Sequence, residues 1–417
     1  MATLAVFVGA FLLAQLGLSW ETPDEFTYDL RTALLSKVPA NQRQDIALVL
    51  IDDASVAQYW SRSPVDRGLI AELVKAIDAA QPKAIGLDFI FDRHSEPSRD
   101  TALRDAIRAA VAPVILGVTT GHEGPLPSSN LQWQDEFVAS TATKTPPLAG
   151  TLFFGEPEET LTLGDNVVRK IGTPLADPDG RYDKTFDVLL ARQKDKASID
   201  IPHNRLIAWL LQPRKKGTDT FATLHIPEHA PVDGHGDGHT VLSSGLSDVL
   251  TGKIVIVGAD FIDRDQHRIP LSIDTKAPVP GAFIHAQIIA QLIDGRTILE
   301  LPKFAEVVLV FLMCLAGYLI ASRYSFFAIE MFSQLVFLLA IIVVGSVLFW
   351  MWSLILPTST MFMGWLFGAI GEGHGAPAVA VMAAAGKRIY VASHARMQKI
   401  ADVGKSIAMR LRRLKQP

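Results

Sequence analysis

The chain has 417 residues, 49% of them hydrophobic, and a formal net charge of -4. That apolar share puts part of the chain in lipid while leaving enough residues for a folded domain. The single cysteine, Cys314, excludes an intramolecular disulfide and a thiolate metal cluster.

The charge is unevenly spread. Residues 21–302 carry 28 basic and 39 acidic side chains, whereas the last 31 residues hold nine Lys/Arg against one acid, Asp402. The acidic balance of the long middle stretch argues against a nucleic-acid-binding face. The basic end favours the cytoplasmic side of a membrane.

The chain opens on Ala2–Leu18, 17 residues with only Gln15 strongly polar. This is the short end of what spans a bilayer as a helix. With no basic n-region and no Ala-x-Ala-like site before Glu21, it reads as a retained anchor rather than a cleaved signal peptide.

Ile46–Ile51 is a continuous apolar run ending in Asp52-Asp53, which suits a strand buried on both faces. Ser63-Pro64 is predicted to open a helix through about Gln81, with Leu69, Ile70, Leu73, Val74 and Ile77 on one face. Ala84–Phe91 is a second strand, Asp100–Ala112 a second helix and Pro113–Val118 a third strand. Strands alternating with helices predict parallel βαβ units. Ile254–Val257 and a helix near Pro280–Asp294 form a later α/β pair. Between them, Leu126–Leu250 is rich in Pro, Gly and Thr and reads as a loop-rich insertion, with a short strand at Leu152–Gly155 and a helical Ile201–Leu211.

Three further spans follow: Phe304–Ser322, about Ile329–Phe349, and roughly Leu354–Ile370 with Pro357 in its first turn. Arg323 falls between the first two, and the uncharged Trp350–Ser353 turn between the last two. Four spans put both termini on one side, and the charge pattern makes that side cytoplasmic. The expected layout is an anchor (1–20), an extracytoplasmic α/β domain (21–302), a three-helix transmembrane bundle (303–371) and a basic tail (372–417). The tail has an apolar stripe at Ile400, Val403, Ile407 and Leu411, suited to docking on a partner or on anionic lipid. This order is the plan of a membrane receptor.

Among groups able to do chemistry, Asp52 and Asp53 end the first strand, and Asp88 and Asp92 lie on or just after the second. If those strands are parallel neighbours, the carboxylates converge at the carboxyl edge of the sheet, where open α/β sheets bind ligands. The alternative is structural: they cap Ala54–Tyr59 or pair with Arg67 and Arg93. Asp233, His235, Asp237 and His239 have metal-ligand residue types but sit in a glycine-rich run, so no preformed metal site is expected. No phosphate-cradling loop and no nucleophile elbow is present, and no cofactor is expected.

Ile46–Asp92 resembles the opening of the type-two CHASE domain, the cyclase/histidine-kinase-associated sensory extracellular domain, and Gly252–Arg296 resembles its closing segment. The Asp-x-x-x-His-Arg-x-Pro run (Asp263–Pro270), the Pro-Gly-x-x-Ile-His-Ala run (Pro280–Ala286) and Ala176–Thr185 look like the family's markers. The resemblance covers roughly Glu21–Gly371. It implies an extracytoplasmic sensor module, usually fused to a cytoplasmic cyclase or kinase. It also singles out Asp263, His267, Arg268 and His285 for ligand sensing or domain integrity. The roughly 45 residues after the fourth span are too few for such an output domain. The expectation is therefore a non-enzymatic sensor working through other membrane or cytoplasmic subunits or as a homo-oligomer, with an unknown small-molecule ligand. The alternative is a structural subunit of a larger membrane complex.

Overall fold

The computed structural model describes residues 21–56, 65–120, 127–141, 148–152, 167–172, 182–194, 199, 201–202, 205–215, 217–226, 246–262, 265–273, 277–322 and 327–370. The chain divides into two units, one of Tyr28–Glu300 with Leu348–Ile355, the other of Met1–Thr27, Leu301–Val347 and Leu356–Pro417.

The first unit is built on a six-stranded, wholly parallel sheet of β1 (Ile46–Asp52), β2 (Ala84–Ile90), β3 (Val114–Val118), β4 (Ala149–Thr151), β5 (Ala222–His225) and β6 (Ile254–Asp260). Its order is β4-β3-β2-β6-β1-β5. The continuous apolar runs exist because both faces are covered. Ala47, Val49 and Ile51 of β1 face one layer, and Ile46, Leu48 and Leu50 face the other. The first layer comprises α2 (Arg67–Ala79), α3 (Pro97–Ala109) and α4 (Ser128–Thr141); the second includes α5 (Phe186–Arg192) and α7 (Gly281–Asp294). The short α6 (Leu246–Leu250) precedes β6, and two-residue strands β7 (Gln266–His267) and β8 (Val279–Pro280) pair antiparallel before α7.

Helix α2 starts at Arg67, later than Ser63, because the Asp66 carboxylate accepts from the Gly68 and Leu69 amides at 2.8 and 3.1 Å and closes the N-terminus there. Helices α1 (Glu21–Leu35) and α4 lie in stretches the sequence pattern left without elements. A strand forms at Ala149–Thr151, just before the expected Leu152–Gly155; Leu152 is not part of it, and residues 153–155 lie outside the described residues.

Ile201–Leu211, expected to be helical, is not a helix among its described residues. Gln287 of α7 accepts from the Leu210 amide at 2.9 Å and donates to its carbonyl at 3.0 Å. One turn on, Gln291 accepts from the Ala208 amide at 2.7 Å and donates to the Leu206 carbonyl at 2.9 Å. Alternate residues of an extended strip are thus held by side-chain amides, which satisfies backbone groups a helix would have used internally.

In the second unit, α8 (Lys303–Ala321) and the Phe332–Trp352 part of α9 (Phe327–Trp352) are long and apolar enough to cross a membrane. The helical part of the last predicted span is α10, Thr358–Ile370. Leu354 and Ile355, assigned to that span from sequence, instead form β10, parallel to β9 (Leu299–Glu300) in the first unit. Ser353, with φ of 53°, ends the preceding helix, and Pro357 keeps the next from starting earlier. Helices α8 and α10 meet through small residues: a methyl group at Gly317 would strike the Trp365 carbonyl, and one at Gly368 the Cys314 carbonyl. Gly364 and Gly368 form the small-xxx-small spacing that lets membrane helices approach closely. Ala2–Leu18 and the basic tail lie outside the described residues.

Candidate functional site

Strand β6 lies between β1 and β2, so the four aspartates expected to converge do not. Two strand spacings, about 10 Å, separate the ends of β1 and β2. Asp52 accepts from the Ser55 amide at 2.8 Å and the Ser55 hydroxyl at 2.6 Å, and lies 3.6 Å from His225 Nδ1. Burial opposes its ionisation, but the Ser55 bonds hold its carboxyl below the usual range. Asp53 accepts from the Ile262 amide at 3.1 Å. Asp92 pairs with Arg93 at 2.8 Å and accepts from Asn130 at 3.0 Å. Arg67 pairs with Asp100 and the Arg93 carbonyl, its guanidinium 4.6 Å from the Trp133 ring centre. These acids are tied into turns and ion pairs at the sheet edge.

Asp88 has a different setting. It follows Leu87, where the β2–β3 register shifts, and shares the face of Ala84 and Gly86 that looks toward α5 and α7. Those helices come close because the sheet has glycines beneath them. A methyl group at Gly86 would lie 2.6 Å from Leu190 Cδ1, and one at Gly258 would lie 2.6 Å from Ala282 Cβ and 3.2 Å from Asp88 Oδ2.

Thr185 caps α5, its hydroxyl accepting from the Val188 amide at 3.4 Å, and this places Asp187 in the first turn. His285, one turn into α7, lies between two carboxylates. Its Nδ1 is 2.7 Å from Asp187 Oδ1 and its Nε2 is 3.6 Å from Asp88 Oδ1. The ring stands edge-on to Phe186, with centroids 5.0 Å apart. The His285 side chain is 1% exposed, Asp187 2% and Asp88 9%. Among the described residues Asp88 Oδ2 is buried and accepts no hydrogen bond.

The electrostatics follow from this burial. Burial works against the imidazolium, but Asp187 and Asp88 outweigh it and raise His285 to about 9. Burial also disfavours the Asp88 carboxylate, and although His285 opposes it, Asp265 and Asp187 add to the rise, which reaches about 7. The cluster can hold a matched His285–Asp187 ion pair with a proton on Asp88, or release that proton and become net negative.

Asp265 and His267 border the cluster. Asp265, at φ 56°, lies 3.1 Å from His267 Nε2, and a methyl group at Gly281 would come 2.8 Å from its Oδ1. Arg268 is exposed, and its carbonyl accepts from the Val168 amide at 2.8 Å. Asp263, Asp233, His235, Asp237 and His239 lie outside the described residues. Among the described residues no group of three acids, histidines or cysteines is placed to hold a metal ion. Asp187 was absent from the sequence candidates. Its signal is local: the threonine that closes the Ala176–Thr185 marker run caps the helix and puts an acid in a buried first turn.

A parallel sheet covered on both faces, followed in the chain by two helices long and apolar enough to cross a membrane, defines an α/β domain. Residues 2–319 match the family model of the CHASE2 domain, and the chain belongs to that family, a family of sensory extracellular domains. No curated protein and no solved structure matches the chain.

Proposed function

We propose that the protein is a non-enzymatic sensor subunit of the bacterial cell membrane. Its CHASE2 domain lies outside, both chain ends lie in the cytoplasm, and its output is a separate cytoplasmic protein. The observation that carries this reading is the placement of His285. It sits on α7, which is buried along nearly its whole length, and only Gly295–Pro302 separates that helix from the membrane helix α8. A change at the cluster thus acts on the last helix before the membrane. The nine basic residues of the final segment, with one acid, supply the charge for docking a partner or anionic lipid.

The test is purification of the tagged full-length protein in mild detergent, with mass spectrometry of what accompanies it. A stoichiometric cytoplasmic kinase or cyclase is expected. Stoichiometric membrane or extracytoplasmic subunits in its place would overturn the sensor reading in favour of a scaffold.

A further inference from the structure

We propose, building on the sensor reading, that the effector read by this domain is the proton, taken up and released by Asp88 where β2 meets the first turns of α7. Three observations carry it. The imidazole of His285 is already committed to Asp187 through its 2.7 Å contact, so Asp88, 3.6 Å from Nε2, is the second acid on a single cation. Asp88 Oδ2 is buried with no donor among the described residues, which makes its ionised form costly in place. The backbone against it is tight: a methyl group at Gly258 would meet both Ala282 and that same oxygen. Among the described residues, an ionised Asp88 therefore gains a donor only if α7 moves.

The titratable groups facing Asp88 are His285 from α7, Asp187 from α5, and Asp265 and His267 from the β7 hairpin. The two histidines favour the carboxylate and the two aspartates oppose it, with burial the largest influence. In acid Asp88 is neutral and the sheet–helix contact is closed. Toward neutrality the carboxylate forms and α7 opens more readily.

Hydrogen exchange of Gly281–Asp294, in the full-length protein in lipid nanodiscs and corrected for the intrinsic pH dependence of exchange, reads this directly. Between pH 5 and 6.5, protection of α7 is expected to fall about tenfold per pH unit, because opening releases the Asp88 proton to solvent. Asp88→Asn is expected to abolish that slope, and Asp52→Asn, outside the cluster, to keep it. A flat wild-type profile, or an unchanged slope in Asp88→Asn, overturns the proposal. It would leave the sensor reading standing, since that is tested separately by the copurification. Infrared difference spectra of the wild type give a readout free of variants. A buried protonated-carboxyl band present at pH 5 and lost at pH 8 supports the proposal, and its absence overturns it.

Discussion

Gln287 uses both ends of its side-chain amide on one residue: Oε1 accepts from the Leu210 amide at 2.9 Å and Nε2 donates to the Leu210 carbonyl at 3.0 Å. Gln287 is fully buried, and the pairing satisfies Leu210 backbone groups on the side of the strip facing the helix, while the strip's backbone bridges run to Lys37 and Lys170. Gln287→Leu keeps the volume and orphans two buried backbone groups. The cost is expected to be roughly 2–4 kcal/mol, read as a lowered denaturation midpoint of the full-length protein. A change under 0.5 kcal/mol, about the level of an ordinary surface substitution, would show that solvent or another group meets these atoms.

The Asp187–His285 pair sets a second expectation. Its folded-state pKa, about 9, lies above the ordinary 6.5. Its contribution is therefore complete below about pH 6.5 and lost as pH rises through 9. Thermal stability of the wild type is expected to decline across that window. His285→Gln is expected to lower stability at pH 6.5 and flatten the decline, as followed by melting at half-unit pH steps.

Arg67 is buried against Phe91, Trp133 and Phe137 and is paired with Asp100, itself 5% exposed at the side chain. Arg67→Met leaves the Asp100 charge without its cation and is expected to cost about 3–5 kcal/mol. The double change Arg67→Met with Asp100→Leu is expected to recover most of that loss. A double variant as unstable as the single one would assign the cost to lost ring packing instead.

Gly368 lies against the Cys314 backbone where α8 and α10 touch, and Cys314 is buried there. Gly368→Leu is expected to separate the two helices and expose the thiol. The measurement is labelling by a membrane-permeant maleimide, slow in the wild type and at least tenfold faster in the variant. This follows because a backbone contact through a small residue leaves no space for a branched side chain.

Much of the sheet was legible because it is parallel and covered twice. Ile46–Ile51 and Ile254–Val257 read as strands since every position in them is apolar, and Ala84–Phe91 since every position but Asp88 is apolar or small. Asp66, which fixes the start of α2, was overlooked because Ser63-Pro64 offered a stronger-looking start three residues earlier. Strand order was not legible at all. Nothing local in Ile254–Asp260 says that it inserts between β1 and β2, and that insertion separates Asp52 from Asp88. For the same reason Asp88 and His285 were visible as residue types while their meeting, with Asp187 as the third member, was not. Ile201–Leu211 has a helix-like apolar pattern, but its described residues are held by partners distant in sequence, among them Gln287, 77 residues from Leu210.

The proposed arrangement has the CHASE2 domain facing outward from a membrane anchored by these helices. Val111 is 92% exposed on the domain, and Cys314, the chain's only other thiol in a Val111→Cys variant, is buried. Intact cells or spheroplasts carrying Val111→Cys would be treated with a membrane-impermeant maleimide, with and without lysis. Full labelling before lysis is expected, with no further gain after it. Labelling that appears only after lysis would place the domain in the cytoplasm and contradict it.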